Sequence, residues 1–373
     1  MRYQAAPLPE PAPLLGGALL ERNPTQQIGR GIGALSRRGR FWRIVGWRVA
    51  LIDGICAMPK TPSVWPDIPY PEWRETCAAL HLWAQIVGKF RFANTPWENH
   101  SWHATFYVVP RGLSTGPIYI GPMALALDFD FIDQQLRIEA SNGKAASFAL
   151  ESMSVATFLE RVGACVEAVG ARFAIDGMPN EIAGAVCFNQ DVAVRPYDVD
   201  AVRRFHGALL QIDRVLKQFR TSFLGKASPV HLFWGSFDLA VTRFSGRRAP
   251  LHPGGIPNLP DAVTREAYSH QESSAGFWAG EGVGEPMFYS YAYPATTEFG
   301  TSPVTPSEAY WDAKLGEFLL PYRIVRASPD PDATLLQFLQ STYEAAAVTG
   351  AWDRRDLECA PGVARVPRSV TAP

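Results

Sequence analysis

The 373-residue chain is predicted to form an α+β fold: an antiparallel sheet with four main flanking helices in a single domain. Three observations predict it. Apolar residues recur at three- and four-residue spacing in four separate stretches, the pattern of helices with one buried face. Between these stretches lie short runs that alternate apolar with polar residues or are rich in β-branched and aromatic residues, the pattern of strands. The order helix, strands, helix also occurs twice. The domain, over 61–356, therefore reads as two similar halves, 65–180 and 190–352, and 357–373 as a flexible tail.

Pro71 suits the first turn of a helix over 71–90, whose stripe is Trp73, Cys77, Leu80, Ala84 and Val87. Strands are expected at 105–109, 124–132 and 136–140. In the second, Leu125, Leu127, Phe129 and Phe131 share a face opposite Asp128 and Asp130. Asn142-Gly143 marks a tight hairpin before a strand at 146–150. Ser154 caps a second helix that stops at Gly170, and a short strand is expected at 172–175. Asp198 caps the third and clearest helix, with Val202, Phe205, Leu209, Ile212, Leu216, Phe219 and Phe223 on one stripe and Gly225 as its end. Strands are expected at 230–234 and 239–244. The 39 residues 246–284 hold seven Gly and four Pro without a sustained period. They read as a long loop, ordered by Tyr268, Phe277 and Trp278. Strands at 288–293 and 318–325 and a helix from Pro331 to Gly350 complete the chain.

Composition sets the class. Apolar residues are 47%, aromatics 12% and charged residues 19%, which fits a folded chain and excludes a disordered one. The net charge of -1 carries no nucleic-acid signature, and no stretch of 18 or more apolar residues suggests a membrane span. Neither nucleic acid nor membrane is expected as a partner. The five cysteines lack C-x-x-C spacing, which argues for a reducing cytoplasm rather than a disulfide framework. Charge is uneven: residues 1–60 carry nine Lys/Arg and three Asp/Glu, leaving 26 against 33 in the rest. This basic, Gly/Pro-rich opening reads as a disordered arm, a membrane-surface or transit-like segment, or sequence upstream of a true start at Met58. The last is favoured.

The motif scan is sparse. Gly112-Leu113-Ser114-Thr115-Gly116 matches G-x-S-x-G, but Pro117 and a β-rich run follow where a nucleophile elbow needs a helix, so a turn is expected. His100 and His103, three apart before a strand, read as loop histidines rather than a metal pair; no metal is assigned. The informative region is 228–293. There Asp238 and Arg243 lie in an apolar run, where a charge needs a partner; an Asp238–Arg bridge is the plain reading. The sharper reading is a cluster of Arg243, Arg247 and Arg248 receiving an anionic ligand. His231, Asp238, His270 and Glu272 are the candidate acid–base residues. His270 and Glu272, two apart, point the same way in extended chain. Tyr289, Tyr291 and Tyr293 share a strand face that reads first as a sheet face covered by the long loop, and otherwise as the lining of a sugar or ring pocket; Trp278, Tyr289 and Tyr291 are the candidate aromatic ligand contacts.

Four runs carry a family resemblance. They are Trp83-Ala84-Gln85-Ile86-Val87-Gly88-Lys89, the long run from Ser228-Pro229-Val230-His231-Leu232-Phe233-Trp234-Gly235-Ser236-Phe237-Asp238 to Arg247-Arg248, Glu266-Ala267-Tyr268-Ser269-His270, and Phe338-Leu339-Gln340-Ser341-Thr342-Tyr343-Glu344. Over about 65–356 the chain resembles a bacterial family of unknown function, of the DUF 5996 type. The resemblance implies a bacterial source and a single domain; it supplies no catalytic residue, cofactor or substrate. The expectation is thus an enzyme or small-molecule-binding protein with an Arg/His/aromatic pocket. Whether it catalyses a reaction stays open, and the alternative is a non-catalytic structural or interaction protein.

Overall fold

The computed structural model describes residues 65–368, apart from 183 and 256–258. The chain divides into two units, 1–61 and 62–373. The reading of residues 1–60 lies outside the described residues.

The first helix, α1 (Tyr70–Asn94), leads into β1 (Thr105–Val109), β2 (Gly112–Ser114), β3 (Ile118–Ile120), β4 (Met123–Asp130), β5 (Gln135–Ala140) and β6 (Ala145–Ala149), and α2 (Val155–Ala168) follows. Next come α3 (Val199–Arg220), β7 (His231–Phe233), β8 (Asp238–Arg248), α4 (Asp261–Ala267), β9 (His270–Trp278) and β10 (Met287–Tyr293). The chain ends with β11 (Tyr310–Asp312), β12 (Glu317–Pro321), α5 (Tyr322–Ala327), α6 (Pro331–Thr349) and α7 (Arg354–Leu357). The twelve strands form one antiparallel sheet in the order β11-β12-β10-β9-β8-β7-β1-β2-β4-β5-β6, with β3 beside β4. Two meanders therefore run outward from a central seam, where Phe106 of β1 faces Leu232 of β7.

Local signals explain most elements. Ser154 accepts from the Thr157 amide at the start of α2. Asp198 accepts from the Asp200 and Ala201 amides at α3, and Asp330 from the Ala333 amide at α6. Each cap satisfies donors the helix itself leaves open. One sheet face, with Phe106, Leu127, Phe129, Leu136, Leu239, Val241, Phe277, Phe288 and Leu320, joins the helices in a single apolar core. Among the helices, α1 is buried on nearly every side from Thr76 to Arg91. The sheet, α2 and α3 lie against it, and segment 171–190 adds Phe173 on Phe90 and Asn180 bonded to Gln85 and Lys89. Here Gly88 admits the Trp234 ring, which lies 2.3 Å from where a Cβ would stand.

Several expectations are corrected. The stretch 246–284 is not a loop: it holds the end of β8, α4 and all of β9, and β9 pairs along its length with β8 and β10. Its period-2 signal is masked because Ser273, Ser274 and Gly276 occupy buried positions. Residues 172–175 are irregular. The third helix stops at Arg220, and Phe223, although buried, lies beyond it. The run 318–325 is strand only to Pro321 and then turns into α5. Within the stretch expected as a flexible tail, the Leu357 carbonyl accepts from the Leu224 amide and the Cys359 amide donates to the Ser222 carbonyl, both in the segment just after α3. No helix among the described residues is long and apolar enough to cross a membrane.

Candidate functional site

Side chains alternate across a strand, so register sorts the candidate residues between two faces. In β8, Leu239, Val241 and Arg243 point into the helical core, and Asp238, Ala240, Thr242 and Phe244 point outward. Cross-strand partners extend that outer face. His231 lies opposite Ala240, Ala240 opposite Gly276, and Gly276 opposite Tyr289. Thr242 faces Ser274, which faces Tyr291; Phe244 faces Glu272. The outer face thus has a floor of small residues, Ala240, Thr242, Ser274 and Gly276. Around it stand Asp238, Glu272, Tyr289 and Tyr291, with Glu317 entering from β12.

Gly276 is required by this geometry. A Cβ there would lie 2.5 Å from both the Tyr289 hydroxyl and the Leu239 carbonyl oxygen. The Tyr289 phenol crosses over the glycine and donates to Asp238 Oδ2, while Ser236 Oγ donates to Oδ1. Trp278 stacks on Tyr289 at 4.5 Å between centroids, and Tyr291 follows at 6.2 Å. Tyr268 donates to the Tyr291 hydroxyl at 3.3 Å, and Tyr291 donates in turn to Glu272 Oε1 at 3.4 Å. Met287, Tyr289 and Leu319 form an apolar cluster here, separate from the main core.

Burial shapes the electrostatics. Asp238 and Glu272 are each 5% exposed. Desolvation raises the Asp238 carboxyl above its ordinary range and pushes Glu272 up to about 8. Glu317 is also pushed up to about 8, by desolvation first and then by the Asp238 and Asp312 charges. Tyr289 and Tyr291 are held well above an ordinary phenol by burial. Near neutral pH, Glu272 and Glu317 thus retain their protons and can donate hydrogen bonds or protons.

The remaining candidates are dispersed. Arg243 points to the opposite side of the sheet from Asp238, so neither the Asp238–Arg243 bridge nor the arginine cluster forms. Its guanidinium lies 3.5 Å over the Phe219 ring and 4.3 Å from Tyr343, and donates to the Phe219 carbonyl and to Ser222 Oγ. Burial lowers it to about 10. Arg247 reaches the Gly350 carbonyl, and Arg248 is exposed opposite His270, past a bulge in β8. His231 is fully buried on the outer face beside Tyr107 and Phe233; desolvation lowers it to about 3. It is therefore a neutral imidazole and not a group that titrates near neutrality. His270 shares a face with Glu272, but its ring meets Ser269 Oγ and the His100 ring, and the charged neighbour of Glu272 is Lys226. Ser114 of the G-x-S-x-G match lies in β2 and accepts from the Gly116 amide.

Three neighbours of the site escaped the sequence reading. Glu317 and Tyr268 approach Asp238 and Tyr291 only through the pairing of β12 with β10 and the placement of α4. His81 sits within the buried stripe of α1. Its Nδ1 is 2.8 Å from Glu281, its Nε2 is 2.8 Å from the Gly235 carbonyl, and its ring stacks on Phe237. The pattern of α1 flags His81 only as a polar residue among apolar ones. Among the described residues no group of three or more His, Cys, Asp or Glu side chains is placed to hold a metal ion.

No curated protein and no solved structure matches the chain. One family, described as a family of unknown function (DUF5996), matches residues 65–359. That match spans both meanders, the seam and the outer face, and the chain belongs to this family.

Proposed function

We propose that the protein binds a small organic molecule on the outer face of β8, β9, β10 and β12, as an enzyme or as a binding protein. The observation that carries this reading is the small-residue floor, Ala240, Thr242, Ser274 and Gly276, walled by Asp238, Glu272, Tyr289 and Tyr291. A sheet face that only needed covering would be apolar. Here buried carboxyls and phenols converge, and groups with displaced proton affinities concentrate at functional sites. Trp278, Tyr291 and Glu317 are only partly buried and leave the rim reachable from solvent. The anionic ligand suggested by the arginines finds no support on this face, because Arg243 points away from it. If a reaction occurs, the Asp238–Tyr289 pair and the protonated Glu272 are the acid–base groups.

The same proposal places the protein in a bacterial cytoplasm, without nucleic-acid or membrane partners. The free thiols of Cys77, Cys165, Cys187 and Cys359 favour a reducing compartment. The two meanders meeting at β1 and β7, each preceded and followed by a long helix, favour an internal duplication.

The test is a thermal-shift screen of small metabolites on the full chain. A genuine ligand stabilises the wild type, loses its effect in Asp238→Asn and Tyr289→Phe, and keeps it in Arg243→Met. A ligand whose shift survives both outer-face substitutions places the site elsewhere.

A further inference from the structure

We infer that the outer-face site takes a cationic ligand, an organic ammonium whose charged nitrogen lies among Asp238, Glu272 and Glu317 against the rings of Trp278 and Tyr291. This rests on the outer-face site proposed above and names its ligand class.

The charge distribution is the first argument. Asp238, Glu272 and Glu317 all lie on this face. The groups around them are few and mostly acidic or neutral. Asp238 is approached by Ser236, Tyr289 and His81, Glu317 by Asp238 and Asp312, and Glu272 by Tyr291 and Lys226. Glu181, on segment 171–190, adds a further carboxylate facing Asp238. Of the two basic neighbours, His81 is already bonded to Glu281, and Lys226 is exposed and bonded to His100. Ionised, these carboxyls would lack counter-charge; protonated, they are poised to ionise when a cation arrives. An anion would meet carboxyl oxygens instead.

The second argument is independent of the acids. Trp278 and Tyr291, the partly buried rings on either side of Tyr289 in the stack, turn their outer electron-rich faces toward the rim beside the carboxyls. Such faces attract a desolvated ammonium. Third, His231 is 0% exposed on the same face, next to Ala240, and both of its ring nitrogens lack a hydrogen-bond partner. A neutral imidazole there can accept a hydrogen bond from an ammonium N–H or from a substituent beside the charge.

Binding should release protons. A cation favours ionised Glu272 and Glu317, so affinity rises as pH increases through their free-state range, near 8. The experiment is titration calorimetry on the full chain with three ring-matched probes: benzylammonium, benzyl alcohol and benzoate. The cation should bind, with affinity rising roughly tenfold or more between about pH 6.5 and about pH 8.5. Its heat should depend on the ionisation enthalpy of the buffer. Glu272→Gln and Glu317→Gln, which mimic the protonated acids and so keep the fold, should each weaken it about fivefold or more. Benzoate or benzyl alcohol binding that is lost in Tyr289→Phe would overturn the cationic class while leaving the outer-face site in place. Cation binding unchanged in both Gln variants and in Tyr289→Phe would overturn the site itself. No cation binding at either pH would overturn the cationic class.

Discussion

Two residues, one on each face of the sheet, show what a single position sets. Gly276 is small because the Tyr289 phenol occupies the space above it. Gly276→Ala pits a methyl group against a backbone carbonyl and that phenol. It should cost about 1–3 kcal/mol, as overpacking does, and pull Tyr289 off Asp238; urea denaturation gives the cost, and ultraviolet difference spectra report the tyrosine. Arg243 is the converse, a charge sealed among Phe219, Phe223 and Tyr343. Among the described residues no carboxylate lies within ion-pair distance of it. Its aliphatic stem and flat head fill volume at the cost of desolvation. Arg243→Met should therefore unfold within about 1.5 kcal/mol of the wild type or above it. Arg243→Ala, which leaves a cavity, should lose about 2–5 kcal/mol. Equal losses in both would show that the charge itself stabilises the fold.

At the scale of elements, β9 is the strand that the composition concealed and the site most needs. Its Ser274 and Gly276 lie at the middle of the sheet, where larger residues would fill the outer face. Strand pairing also brings Glu272 and Glu317 into desolvated positions, with a consequence for stability. Both carboxyls bind protons more tightly folded than unfolded. The folded state then holds more protons than the unfolded chain between the ordinary carboxyl range and about 8, so stability falls as pH rises through that interval. His231, depressed to about 3, acts in the opposite sense only below its unfolded value of about 6.5, and Lys89, lowered by burial to about 8, opposes the two carboxyls only at the upper end of that interval. Between about pH 6.5 and 8.5 the denaturation midpoint should decline, and Glu272→Gln combined with Glu317→Gln should flatten the decline. A midpoint that rises across that window would contradict the protonated assignment.

For the whole molecule, the seam decides how the two meanders behave. One apolar core runs through both, with Leu232 of β7 fully buried against Phe106 of β1. Leu232→Ala should cost about 2–5 kcal/mol and shift a single calorimetric transition downward. Two separated transitions would mean that the meanders fold as independent units.

Much of this was legible in the chain. The stripes of α1, α2, α3 and α6 and the alternation of β4 follow from covalent periodicity, because a helix or strand must turn its apolar residues to one side. Capping residues fixed where two helices begin, since Ser154 and Asp198 answer amides within their own turn. Glu272, Asp238, Tyr289, Tyr291 and Trp278 were recognisable as a group by residue type. Register decided what that group is. Arg243 looked like a partner of Asp238 because both lie in one apolar run, yet five residues along a strand set them on opposite faces. Glu317, Tyr268 and His81 joined the site through contacts between residues far apart in the chain. Local sequence determined the elements, because periodicity and capping act within a few residues. Only tertiary structure decided which strands pair, which face each side chain meets and which carboxyls lose their water, because pairing and desolvation are properties of the assembled sheet.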